Sequence, residues 1–197
     1  MNIMSIDTSR SICSVAILDE KNNIFYKENS LHNQHTKDLF SLIHSIFEES
    51  KNNYNSITDI AVVVGPGSFT GIRAGIAAAQ GIQLTTNITV HGISTLEMQA
   101  YSIHKFIKNT DKPIKAIIST HHTIYTQIFT SNILPLTNIS IVSNSDTHEN
   151  SHITYKNIPE ITINAKTAAM TLVHKINNKL PSLSLIPIYE NTNFKKI

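Results

Sequence analysis

Three short apolar runs open the chain. Ile3–Thr8 is apolar and ends in polar residues. Ser11–Asp19 alternates, with Cys13, Val15 and Ile17 on one face and Ser14, Ala16 and Leu18 on the other. A polar turn at Glu20–Asn23 leads into Ile24–Lys27. Period-two alternation broken by an Asn-rich turn predicts strands joined as a hairpin. The period then lengthens. Leu39, Leu42, Ile43, Ile46 and Phe47 fall at i, i+3, i+4, i+7 and i+8, which predicts an amphipathic helix over 34–50. Ile60–Val64 is an unbroken, β-branched run, the pattern of a strand buried on both faces.

The spacing predicts a second helix over 71–84, a strand over 88–91 and a third helix from Ser94 to about Ile107. Ser94 and Glu97 stand as a capping box at that helix start. After 109–113 the pattern restarts, with strands at Ile114–Ser119 and Ile124–Thr130. The polar stretch 144–152 reads as a loop and Ile161–Ile163 as a short strand. Ala165, Ala168, Ala169, Leu172, Val173 and Ile176 trace a last helical face ending near Lys179, and Pro181 and Pro187 break the tail. The restart places a boundary near residue 108, dividing the chain into 1–108 and 109–197.

All six glycines lie between Gly65 and Gly92, so backbone geometry matters most in that segment. Its core is Gly65-Pro66-Gly67-Ser68-Phe69-Thr70-Gly71-Ile72-Arg73. Gly65 and Gly67 permit a tight strand-to-helix turn, and Ser68 or Thr70 can cap the helix. The helix continues through Ala74, Gly75, Ala77, Ala78 and Gly81. Each interior glycine costs about 1 kcal/mol relative to alanine. That cost implies a compensating contact: close approach of another backbone, or a ligand phosphate at the helix start. A tightly packed core helix without a ligand meets the same requirement. The segment lacks the Lys-Ser/Thr of a P-loop and the glycine spacing of a dinucleotide fingerprint.

Composition narrows the class. The chain has 197 residues, 41% hydrophobic and 15% charged, with net charge +2. That suffices for a core and gives no basic stripe for nucleic acid. One cysteine, Cys13, rules out an internal disulfide. No apolar run reaches the roughly 18 residues needed to span a bilayer, and Met1–Asp7 is no signal peptide. A cytoplasmic protein without membrane contact is expected.

Ser5-Ile6-Asp7-Thr8-Ser9, Cys13–Ala16, the Gly65–Arg73 string, Gln80-Gly81 and Gly92–Leu96 together resemble the TsaB (YeaZ) family in order and spacing. His35, leading into the first helix, fits as well. The resemblance implies an α/β, actin-like (ASKHA, ribonuclease-H-like) fold of two related subdomains with mixed sheets flanked by helices. It implies a non-catalytic scaffold in the transfer of threonylcarbamoyl to the adenosine beside the anticodon of tRNA. The implied partners are a TsaD-type catalytic subunit and a TsaE-type ATPase, with a homodimer when alone and tRNA touched only indirectly. No intrinsic cofactor, metal or catalytic residue is implied, though ATP or ADP is expected at the partner interface. The partner or dimer face then falls on Leu39, Ile43, Gly71, Arg73, Ala74, Gly75 and Ala78. Asp7, Thr8, Ser9, Gly65, Gly67, Ser68, Phe69 and Thr70 are family-motif positions near a nucleotide.

The second half departs from the family. Its usual Asp-Ala-Arg and Glu-x-Tyr are replaced by Ser119-Thr120-His121-His122-Thr123-Ile124-Tyr125, and its terminal Pro-x-Tyr-Leu-Arg by Pro187-Ile188-Tyr189-Glu190-Asn191. Two other functions compete with the scaffold. A stand-alone actin-like phosphotransferase would use Asp7 to position a metal, but no glycine follows Asp7 and no second acidic motif is evident. A metal hydrolase would use the i, i+4 pair His148 and His152, which supplies only two ligands in a polar stretch. His32 and His35 read as a polar helix approach. A degenerate, dimeric relic is the third alternative, kept alive by the altered second half.

Overall fold

The computed structural model describes residues 1–29, 35–107, 111–120, 123–142 and 161–189. Three antiparallel strands open the first sheet: β1 (Ile3–Asp7), β2 (Ser14–Leu18) and β3 (Ile24–Glu28). Helix α1 (His35–Ser50) returns the chain so that β4 (Asp59–Gly65) pairs parallel with β1. Helix α2 (Phe69–Leu84) then leads to β5 (Thr89–Ser94), parallel to β4. The strand order is β3-β2-β1-β4-β5. Helix α3 (Thr95–Phe106) leads to an antiparallel sheet of β6 (Ile114–Ser119), β7 (Ile124–Phe129) and β8 (Ser140–Val142), and α4 (Ala165–Asn177) closes the set.

The alternation read in β2 sorts its side chains between two layers. Cys13, Val15 and Ile17 join Ile60, Val62 and Val64 in a cluster under α1 and α2. Leu18, Ala61 and Val63 face the other way, against Ala168, Ala169 and Leu172 of α4. The first sheet is therefore covered on both faces, as the unbroken β4 run requires. Each fully buried isoleucine here contributes about 1.5–3 kcal/mol. Burial, with Asp7 and Asp38 nearby, pushes the Cys13 thiol up to about 12, so it stays protonated and inert.

Polar groups fix where α4 lands. Ser5 Oγ donates to the Ala165 carbonyl at 2.7 Å, and the Ala165 amide donates to Ser14 Oγ at 3.1 Å. The last helix is thereby bonded to the first two strands. Helix α3 leans the other way, packing Leu96, Ala100 and Ile103 against Ile114, Ala116 and Phe129. Gln99 Oε1 accepts from the Ile117 amide at 2.5 Å. Each of these two helices thus covers the sheet built from the other part of the chain.

Between α3 and α4 lies a buried ion pair. Glu97 closes the predicted capping box, accepting from the Ser94 amide through Oε2 at 2.8 Å. Its other oxygen accepts from Lys175 of α4. Both side chains are almost wholly buried.

Some expectations need correction. Residues 161–163 form no strand; Thr162 instead offers its carbonyl to Thr167 Oγ1 at 2.7 Å, at the approach to α4. Strand β8 was not legible, being three residues with little apolar contrast. The proline-containing tail does not run free. Leu183 forms an antiparallel bridge with Gly92, and the Ile188 amide donates to the Val64 carbonyl at 2.8 Å. The expected loop 144–152, with His148 and His152, lies outside the described residues, as do His32, His121 and His122.

Removing one member of the buried pair, Lys175→Met, strands the Glu97 carboxylate and should cost about 3–5 kcal/mol in urea unfolding. A cost under 1 kcal/mol would mean that water reaches the pair. On the other side of α4, His174 Nε2 contacts the Asn132 carbonyl at 3.1 Å, and burial, with His104 beside it, lowers its pKa below the ordinary 6.5. The unfolded chain therefore binds the proton more readily, and stability falls as pH drops below about 6.5. His174→Gln should flatten that part of the pH–stability curve measured by thermal melts.

Candidate functional site

The site grows from one crossing. Strand β1 ends at Asp7, and the turn into β2 passes directly over the start of α2. Ser9 caps that turn, its amide and hydroxyl both donating to Asp7 Oδ1, at 2.9 and 2.6 Å. The Ser9 carbonyl accepts from the Ser68 amide at 2.6 Å, and Thr8 Oγ1 donates to the Gly71 carbonyl at 2.7 Å. Ser68 caps α2, its Oγ accepting from the Gly71 amide at 3.3 Å. Thr95 Oγ1 adds a bond to the Pro66 carbonyl at 2.9 Å, tying the start of α3 to the same turn.

The glycines are explained by what a side chain would strike. A Cβ on Gly67 would lie 2.2 Å from the Ser9 carbonyl oxygen, and one on Gly71 would lie 1.9 Å from that of Thr8. One on Gly75 would lie 2.4 Å from Thr8 Oγ1. Gly65 has φ 104°, which disfavours any side chain. The helix thus meets its glycine cost through close approach of its own β1–β2 turn. Gly81 differs, with nothing within 4 Å of an added Cβ.

The motif residues Asp7, Thr8, Ser9, Gly65, Gly67 and Ser68 are therefore brought together, whereas Phe69 and Thr70 point outward. Of the residues assigned to a partner face, several are corrected. Leu39 and Ile43 are each 1% exposed, and Gly71, Gly75 and Ala78 are also buried. They cover the chain's own sheet and cannot reach a partner while the fold is intact. Arg73 is exposed and Ala74 half-exposed. The outward stripe of α2 continues from Arg73 through Ala77 and Gln80 to Leu84, which is 87% exposed. On neighbouring α1, Phe40 is 56% exposed. Both apolar side chains sit off the core-facing stripes, and that is the signal that could have marked them.

The structure also brings together residues that the sequence names separately. The Arg73 guanidinium lies 3.8 Å from the centre of the Phe69 ring, and its Nε donates to Tyr189 Oη at 3.0 Å. The Phe69 and Tyr189 rings are 4.6 Å apart. Asp59, His91 and Ser182 also fall in line, with His91 Nε2 2.8 Å from Asp59 Oδ1 and Nδ1 2.8 Å from Ser182 Oγ. This line joins β4, β5 and the tail. Among the described residues, no group of three or more His, Cys, Asp or Glu could hold a metal, and no helix is long and apolar enough to cross a membrane.

Comparison with known proteins agrees with this geometry. The family model described as TsaD: tRNA N6-adenosine threonylcarbamoyltransferase matches residues 28–182. YeaZ from Pseudomonas aeruginosa superposes with a TM-score of 0.75 at 16% identity, covering 95% of this chain and 100% of that one. The fold is thus the actin-like α/β fold. The tRNA threonylcarbamoyladenosine biosynthesis protein TsaB of Buchnera aphidicola subsp. Baizongia pistaciae is 36% identical over 125 residues, 61% of this chain and 54% of that relative. The TsaB of Escherichia coli is 35% identical over 100 residues, 51% of this chain and 43% of that relative. The chain belongs to the family that this TsaD model describes, and within it is similar to TsaB (YeaZ) proteins. It spans about half the length of the curated relatives it matches.

The two kinds of glycine give opposite expectations. Gly71→Ala drives a methyl into a backbone carbonyl and should destabilise by about 3 kcal/mol or more. Gly81→Ala should stabilise by about 1 kcal/mol. Urea midpoints of the two variants check both signs.

Proposed function

We propose that this chain is a non-catalytic subunit in the synthesis of threonylcarbamoyladenosine in tRNA, docking a TsaD-type catalytic subunit on the outer face of α1 and α2. The observation that carries it is the composition of that face. Helix α2 has a single charged residue, Arg73, and its outward positions mix Phe69, Ala77, Gly81 and the strongly exposed Leu84 with the uncharged Thr70, Gln80 and Gln83. With Phe40 exposed on α1, large apolar side chains stand in water beside a nearly uncharged α2 and one arginine, a combination enriched at interface centres.

The β1–α2 junction supports a non-catalytic role. In a phosphotransferase, Asp7 and the start of α2 would face a phosphate. Here Asp7 is buried and engaged by Ser9, and the Ser9 carbonyl lies against the Ser68 amide. An acceptor oxygen occupies the position where an anion would need a donor. The TsaE-type ATPase, and ATP or ADP at the partner interface, belong to the same proposal. So do a cytoplasmic location, a homodimer of the isolated chain and an indirect relation to tRNA, the last in keeping with a net charge of +2.

Co-purification with the TsaD-type subunit, followed by size determination, tests the proposal. The unaltered chain should form a stable complex, and Ala77→Glu or Leu84→Glu should weaken it by about 2 kcal/mol or more without lowering the melting temperature. No complex, with or without ATP, would sink the scaffold role. A complex indifferent to both substitutions would move the interface elsewhere.

A further inference from the structure

The tail is pinned to the first sheet at both ends. At one end Ser182 meets His91, and Leu183 bridges Gly92. At the other, Ile188 bonds to Val64, and Tyr189 reaches the start of α2. There Tyr189 Oη accepts from Arg73 Nε at 3.0 Å and lies 3.5 Å from the Phe69 carbonyl, to which it can donate. The Phe69 ring covers one face of the guanidinium at 3.8 Å.

An arginine has five N–H donors in a flat fork. Here the Nε side is taken by Tyr189 and a face by Phe69. No other hydrogen bond or ion pair of Arg73 occurs among the described residues, although its side chain is exposed. The paired terminal nitrogens form the edge suited to two parallel bonds to a carboxylate. A solvated arginine samples many rotamers, and ordering it on binding is unfavourable. Holding it in advance removes much of that cost.

We infer that Tyr189, carried on the docked tail, positions Arg73 on the outer face of α2 to receive an Asp or Glu side chain of the protein partner. This rests on the docking face proposed above. The commitment to a protein carboxylate follows from charge and surroundings. Arg73 is the single charged residue of α2, flanked by Phe69 and Ala77, which suits one carboxylate framed by apolar contacts. A nucleotide phosphate needs several converging donors, and at the start of α2 the Ser68 amide is already given to the Ser9 carbonyl. Tyr189 is thus a positioning residue that acts through Arg73.

Tyr189→Phe removes the hydroxyl and keeps the ring on Phe69. In the full chain it should leave the melting temperature unchanged and, measured by NMR, should speed solvent exchange of the Arg73 Nε proton relative to the unaltered chain. Affinity for the TsaD-type subunit should fall roughly three- to tenfold, chiefly through faster dissociation. Arg73→Ala should weaken binding further, and adding Tyr189→Phe to it should have no additional effect. Two additive losses, or a Tyr189→Phe chain that binds as the unaltered one does while Arg73→Ala is weakened, would overturn the positioning role and leave the docking face standing. If the unaltered chain forms no complex, the docking face fails and this role fails with it. Loss of binding by Arg73→Ala that added free ADP or ATP reproduces by competition would assign the arginine to phosphate and overturn the carboxylate.

Discussion

A strand can cross the start of a helix at backbone distance only where the helix carries no side chains. That steric condition governs the first part of this molecule. Gly67, Gly71 and Gly75 face Thr8 and Ser9, and each would place a Cβ inside another atom's radius. The crossing sets the height of α2 above the sheet and, with it, the packing of Ile72, Ile76 and Ala79 on β1 and β4. It also decides the chemistry. Carbonyl and hydroxyl oxygens of the β1–β2 turn meet the helix start, so the helix is capped by its own chain.

The second constraint is ionic. Glu97 ends one strand-to-helix transition as a capping residue and at the same time receives Lys175 from the last helix. Desolvation makes such a pair weak evidence for stability, but it leaves few ways to dock α4. Ser5 and Ser14 narrow them further by bonding to Ala165 at the other end of that helix. Apolar packing of Ala168, Ala169 and Leu172 would tolerate a slide along the sheet; these polar contacts fix the register.

Legibility followed contrast. Strand β4 stood out because five β-branched and small residues in a row need two covered faces, and both covers are present. The capping box at Ser94 and Glu97 was readable because its chemistry is local. Helix α2 was readable as a helix but not in orientation. Its inner glycines and its outer Ala77 and Gly81 look alike in sequence, and what distinguishes them is the distant Thr8. Lys175 carries no local sign of burial, and its burial depends on Glu97, 78 positions earlier. The tail was illegible for the same reason. Leu183, Ile188 and Tyr189 are held by Gly92, Val64 and Arg73, none of which can be inferred from local pattern.

The bridge between Leu183 and Gly92 has a meaning beyond its place in the tail. Strand β5 is the outermost strand on its side of the first sheet, so it would otherwise offer unpaired amides and carbonyls to any extended peptide. Residues 182–189 run past its end, and the Leu183 and Ser184 carbonyls come so close to Gly92 that an added Cβ would lie 2.8 Å from each. The same segment that reaches Arg73 therefore occupies the edge of β5 at Gly92, where an added strand would have to pair. One stretch of chain both holds Arg73 and covers β5 at Gly92, and a change that loosens it touches both.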